Sequence, residues 1–259
     1  MNGPLLVLKF GGTALGSSRR IRVAARRLMA WHSRGFGVIA VASATGHTTD
    51  RISRRLAAVG ADPTLVSGPE TDRALATGEL LSTALLAAAL QGLGAPARSL
   101  SGRAAGLLAN GPWGAAVLED LNPQPLRLLL GTGLIPVVAG FQAGTPSGDL
   151  ITLGRGASDL SAVFLAARLA AAECHIITDV AGVFDRDPRQ DPGAVRLGRL
   201  TASALSTLAE SGAQVVHRGA AQLALAERVS LRVYRWDASL RGEPGSLVVS
   251  DHAACRVAR

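Results

Sequence analysis

The sequence has 259 residues, 48% of them hydrophobic, 18% charged and 3% aromatic, with a net charge of +8. That is enough apolar chain to bury a core, which argues against disorder. No uncharged apolar run reaches the ~18 residues of a membrane span. Two cysteines, Cys174 and Cys255, are too few for a zinc cluster or a disulfide framework. The basic balance would suit a nucleic acid, but aromatics for base stacking are scarce and the arginines are spread along the whole chain; small anionic ligands match that field better.

Short β-branched apolar runs alternate with longer Ala/Leu/Arg stretches. Leu5–Phe10 reads as a strand, Ser17–Ser33 as a helix and Gly37–Ala42 as a second strand. The arginines from Arg19 to Arg27 alternate with apolar positions, as on a solvated helix face. Asp50–Val59 and the Ala/Leu-rich Thr71–Leu93 read as helices. Asn110–Gly114 and Ala143–Gly148 are turn-rich and read as loops. Leu134–Ala139 predicts a strand, Ala157–Ala172 a helix and His175–Thr178 a strand. Thr201–Glu210 and Arg218–Glu227 then predict helices, and Leu231–Arg235 and Ser246–Val249 closing strands. Strand–helix alternation with fully apolar strands specifies an α/β protein on a largely parallel sheet. In such sheets ligands sit beyond the carboxyl ends of the strands.

One residue stands out by composition. Of 27 basic residues a single one is lysine, Lys9, at the end of the first strand and just before Gly11-Gly12. Lys and Arg serve equally on a solvated face, but not where a compact point charge must meet a phosphate. Lys9-Phe10-Gly11-Gly12-Thr13 lets backbone approach an anion closely, although the spacing is not that of a Walker loop. Ser43–Asp50, after the second strand, is rich in hydroxyls and includes Thr49. Gly154-Arg155-Gly156-Ala157-Ser158-Asp159 runs from loop into helix. Its Arg155 suits bidentate carboxylate or phosphate recognition, while Asp159 is equally what a helix start uses. Thr178-Asp179-Val180-Ala181-Gly182-Val183-Phe184, followed by Asp187-Pro188-Arg189, sets an acid at a strand end before a glycine turn and a basic residue, which suits a nucleotide or a solvated turn.

In this order, and with Gly78-Glu79-Leu80-Leu81-Ser82 and Pro136–Phe141 between them, these segments resemble the aspartate kinase branch of the amino acid kinase family, from Leu5 to about Val249. The resemblance implies a three-layer αβα sandwich with an eight-stranded, mostly parallel sheet, forming a single catalytic domain over residues 1–259. It implies transfer of the γ-phosphoryl group of ATP to the side-chain carboxylate of aspartate, the first step toward lysine, threonine and methionine. Mg²⁺ would be carried in with the ATP. An ionised carboxylate needs no strong base; the reaction needs charge neutralisation and in-line positioning.

By the same resemblance, Lys9 with the backbone of Gly11 and Gly12 would neutralise the phosphates, and Asp159 would hold Lys9. Glu79 would take the substrate ammonium and Arg155 a substrate carboxylate, with Thr13, Ser43, Thr49 and Ser158 completing that pocket. Thr178, Asp179, Phe184, Arg189 and Gln214 would border the nucleotide. Further implications are a homodimer, with a separate regulatory chain as an option, and no nucleic-acid or membrane partner. The chain opens without the basic region and cleavage site of a signal peptide, so a cytoplasmic setting is expected.

The sequence departs from the family pattern at Ala14 (usually Ser), Ala157 (Gly), Phe184 (Tyr), Gln214 (Lys) and Arg218 (Pro). These departures keep open a kinase of another small amino acid or phosphate, or a nucleotide- or anion-binding protein without turnover. Only Ser250–Arg259 follows the last predicted strand, so no regulatory domain and no feedback by lysine, threonine or methionine is expected.

Overall fold

The computed structural model describes residues 3–64, 67–154, 156–188, 190–210, 215–239 and 245–251. Its first half runs β1 (Leu5–Phe10), α1 (Ser18–His32), β2 (Gly37–Ala42), α2 (Thr48–Ala58), α3 (Pro69–Gln91), β3 (Ala97–Leu100), β4 (Leu107–Asn110), β5 (Val117–Leu121) and α4 (Gln124–Gly131). The second half runs β6 (Ile135–Ala139), β7 (Gln142–Gly144), β8 (Leu150–Thr152), α5 (Ser158–Arg168), β9 (Glu173–Thr178), β10 (Arg199–Thr201), α6 (Ala202–Glu210), α7 (Arg218–Ala226), β11 (Leu231–Arg235) and β12 (Ser246–Val249).

Eight strands form the central sheet in the order β10-β12-β11-β9-β1-β2-β6-β3. All its pairings are parallel except β11 with β12. The apolar strands β1, β2, β6 and β9 lie in its middle because both faces are covered. On one face Leu6, Leu8 and Phe10 of β1 pack with Ile21, Ala25 and Leu28 of α1 and Leu86 and Leu90 of α3. On the other, Val7 of β1 and Ile39 of β2 pack with Ala162 and Leu165 of α5, Leu205 of α6 and Ala220 of α7. The expected αβα sandwich with an eight-stranded sheet is therefore present.

A second, four-stranded sheet in the order β5-β4-β7-β8 extends beyond the sandwich, and the sequence pattern did not announce it. Asn110, read as loop, ends β4, and Ala143 and Gly144, also read as loop, belong to β7. These strands have three to five residues, too short for a periodic pattern, and pairing with neighbours creates them. Helix α5 stops at Arg168 rather than Ala172, since Ala170 takes a left-handed φ of 51°. Helix α3 starts earlier than expected, with Pro69 in its first turn. It is also the one described helix long and apolar enough to cross a membrane by length and composition. Half of its apolar window is buried here, with Asp72 and Glu79 inside the protein, as befits a core helix.

Candidate active site

Alternation along β1 places Lys9 on the same face as Val7, toward α5, and away from Leu8 and Phe10. Helix α5 begins at Ser158, so Asp159 stands in its first turn, where the helix dipole favours an acid. The two meet: Lys9 Nζ lies 2.6 Å from Asp159 Oδ1, and each side chain is 10% exposed. Asp159 Oδ2 accepts the His217 backbone N–H at 3.0 Å, so the carboxylate is held from two sides. Taking such a pair out of water is costly, and retention of the ammonium there argues for use rather than stability.

The pair opens into a cavity of about 390 Å³ lined by loops at the carboxyl ends of β1, β2 and β6 and by the start of α5. Glycines let these loops close on one another. A β-carbon on Gly12 would lie 2.6 Å from the Ala44 carbonyl oxygen, and one on Gly140 would lie 2.8 Å from Ser158 Cβ. Of the sequence-derived candidates, Lys9, Gly12, Ser43, Thr49, Glu79, Ser158 and Asp159 line this one cavity. Glu79 reaches in from α3. Its Oε1 accepts the Ala44 N–H at 3.0 Å and its Oε2 is buried with no partner. Burial raises its pKa to about 7, against the pull of the Ala44 hydrogen bond. A buried carboxylate oxygen without a donor is an acceptor prepared for an ammonium group.

Other candidates are placed differently. The Gly11 N–H donates to the Ile177 carbonyl at 2.9 Å, continuing the β1–β9 pairing, so this amide does not serve as an anion donor as expected. Thr13 is exposed and outside the cavity; its carbonyl accepts from Arg20 Nη1 at 2.6 Å. Thr178 and Asp179 stand at the end of β9, one strand over from Lys9, with Thr178 Oγ1 donating to Asp179 Oδ1 at 3.1 Å. Phe184 pairs with Arg196 in an isolated bridge. Neither these three nor Thr13 lines the Lys9 cavity, so any nucleotide contact at Thr178–Phe184 belongs to an adjoining surface. Arg155, Arg189 and Gln214 lie outside the described residues.

Sequence reasoning gave no site role to Phe141, although it ends the quoted segment after β6; its φ of 67° turns it into the cavity wall. His217 also lines the cavity. Cys174 lies close enough to Asp159 to feel its charge, but burial, with that charge adding to it, pushes the thiol far up and removes it as a nucleophile. Among the described residues no group of three His, Cys, Asp or Glu converges to hold a metal.

The αβα sandwich carries a buried ammonium–carboxylate pair at the carboxyl ends of its strands. Residues 4–234 match the amino acid kinase family, and the chain belongs to that family. The chain is 40% identical over 245 residues to the aspartokinase of Corynebacterium efficiens, covering 94% of this chain and 57% of that protein. The aspartate kinase structure from Synechocystis superposes with a TM-score of 0.81 at 34% identity, over 95% of this chain and 40% of that one. Escherichia coli aspartokinase III in complex with aspartate and ADP shares the fold, with a TM-score of 0.83 at 23% identity, over 95% of this chain and 64% of that one. The chain thus spans a little over half the length of the curated relatives it matches.

Proposed function

We propose that this chain transfers the γ-phosphoryl group of ATP to the side-chain carboxylate of L-aspartate, giving 4-phospho-L-aspartate and ADP. The observation that carries the reading is the Lys9–Asp159 pair in a cavity that also holds the unpartnered Glu79 Oε2. Support comes from the aspartokinases that the chain resembles at 37–40% identity.

Lys9 would neutralise charge between the attacking carboxylate and the γ-phosphate, with the Gly12 backbone beside it and Asp159 setting the ammonium's position. Glu79 Oε2 would receive the substrate ammonium, while Arg155, Ser43, Thr49 and Ser158 would hold its carboxylates. Thr178, Asp179, Phe184, Arg189 and Gln214 would border the nucleotide. Mg²⁺ fits as an ion carried on the phosphates, since the described residues build no cage for it. Bound there it would supply charge neutralisation on the phosphate oxygens. Assembly as a homodimer, a single catalytic domain and a cytoplasmic setting belong to the same proposal, with control by a separate chain as an option.

A coupled ADP-release assay over a panel of acidic amino acids tests the reading. Aspartate-dependent turnover that Lys9→Ala removes is the expected result. Nucleotide binding without turnover on any acceptor would favour the non-catalytic alternative that the Gln214 departure raised.

A further inference from the structure

We propose that Phe141 determines which amino acid the Lys9 cavity accepts, its ring closing the pocket at the length of aspartate. The inference deepens the aspartate kinase reading and rests on it. Phe141 follows β6, two strands along the sheet from β1. At a strand spacing of about 4.8 Å, that sets it roughly 10 Å across the sheet from the Lys9 end of the cavity. Behind it lies a second cavity of about 300 Å³, among α2, the first turns of α3, the β4–β5 connection and the end of β8. Thr49 and Phe141 line both cavities and so form the partition between them.

Phe141 is 6% exposed, yet it belongs to neither of the apolar clusters that cover the two faces of the sheet. Its φ of 67° is left-handed, a conformation that a bulky residue adopts only where its surroundings impose it. Here they do. The Phe141 N–H donates to Ser161 Oγ of α5 at 3.1 Å, and its carbonyl accepts the Leu153 N–H at 2.9 Å. The preceding Gly140 N–H donates to the Ala42 carbonyl at 3.0 Å. With both backbone polar groups engaged, the ring is the part of Phe141 left to face the cavities. A buried ring donates nothing to a charged ligand; what it gives a substrate is a limit in length. Between Lys9 and that limit, aspartate presents its side-chain carboxylate to the phosphate while Glu79 Oε2 takes the ammonium. Glutamate carries the same charged groups on one more methylene, and its seating requires the ring to move. Removing the ring joins the two cavities and gives that methylene room.

The transfer is the same for either acceptor: a side-chain carboxylate oxygen bonds to the γ-phosphorus as the bond to the ADP oxygen breaks. Phe141→Gly removes the ring and suits the left-handed φ, while Phe141→Leu keeps a side chain on the same backbone and shortens the wall. The readout is kcat/KM for aspartate divided by that for glutamate, with the ratio of their dissociation constants from calorimetry beside it. Wild type should favour aspartate. The preference should fall about tenfold or more in Phe141→Gly, the scale of one methylene in a closed pocket, and in the same direction in Phe141→Leu. A ring that only stabilises the fold would lower both substrates together, so an unchanged ratio overturns the proposal. If Phe141→Gly does not fold, Phe141→Leu decides alone. A wild type that takes glutamate as readily as aspartate overturns the proposal and leaves the aspartate kinase reading standing. A wild type that binds neither amino acid overturns that reading, and the proposal with it.

Discussion

Lys9 is the one lysine of the chain and ends in contact with a buried aspartate, so its shape matters as well as its charge. Lys9→Ala is expected to lower turnover by about 10²–10³, the usual scale for a lost electrostatic contact to the transition state. Lys9→Arg should restore little, because a planar fork does not occupy the place of a point charge. Steady-state kinetics with aspartate and ATP check both, and a near wild-type rate in Lys9→Arg would remove the special role given to the ammonium. Glu79 makes the second residue-level prediction. With its pKa near 7, the ionised form that suits an ammonium is depleted as pH falls below 7. The KM for aspartate should therefore rise on acidification, approaching about tenfold per pH unit, while Glu79→Gln shows a higher but flat KM. A KM that is level from pH 6 to 8 in the wild type would exclude Glu79 as the ammonium ligand. The same shift has a stability consequence. Folding raises this carboxyl from 4.5 to about 7, so the folded state holds its proton more tightly, and stability falls as pH rises through that window. The total is on the order of 3 kcal/mol. Denaturant titrations of the ligand-free protein should show that slope, and Glu79→Gln should lack it.

At the scale of elements, the site depends on how closely the strand-end loops approach. The loops after β1 and β2 are in backbone contact at Gly12, where a β-carbon would strike the Ala44 carbonyl. Gly12→Ala must open that contact and carry Ala44, hence the Glu79 hydrogen bond, with it. A loss of about 1–3 kcal/mol in stability, with a fall in kcat, is expected from overpacking of this kind. Gly131 ends α4 with open space around it. Gly131→Ala is therefore the matched control and should leave both stability and kcat within a few tenths of a kcal/mol or slightly improved. Urea unfolding of the two variants compares them; equal behaviour would mean that the loop contact is slack.

At the scale of the whole molecule, the sheet is pinned away from the site by a buried polar network joining β9 and β11. His175 Nδ1 lies 3.0 Å from Tyr234 Oη, its Nε2 lies 3.0 Å from Glu173 Oε2, and Arg232 holds both Glu173 oxygens. Burial pushes Glu173 up, but hydrogen bonds from His175 and Arg232 and the charge of Arg232 outweigh it and hold the carboxyl at about 2. A depressed carboxylate contributes stability that is present above its unfolded value near 4.5 and is lost as pH falls toward 2. Glu173→Gln should lower Tm at neutral pH and narrow its difference from the wild type below pH 4, with KM for both substrates unchanged. An equal Tm difference at pH 3 and pH 7 would show that the charge is not what matters there.

Much of this architecture was legible in the chain. Apolar periodicity placed β1, β2, β6, β9, β11 and β12 and helices α1, α2, α3, α5, α6 and α7 to within a few residues, because period and burial face are local properties of a segment, but it did not announce α4, β3 or β10. The odd lysine at a strand end and the acid in the first turn of α5 likewise marked themselves by residue type and position. What needed the tertiary structure was every pairing between distant segments. The four-stranded sheet of β4, β5, β7 and β8 consists of runs too short to carry a period, and mutual hydrogen bonding makes them strands. Whether a loop amide faces a ligand or a neighbouring strand is also non-local: Gly11, before the same helix as Gly12, spends its N–H on Ile177. The walls contributed by Phe141 and His217 come together from positions scores of residues apart. A sequence determines which face each segment buries; only packing decides which polar atoms are left without partners, and those atoms are where chemistry can occur.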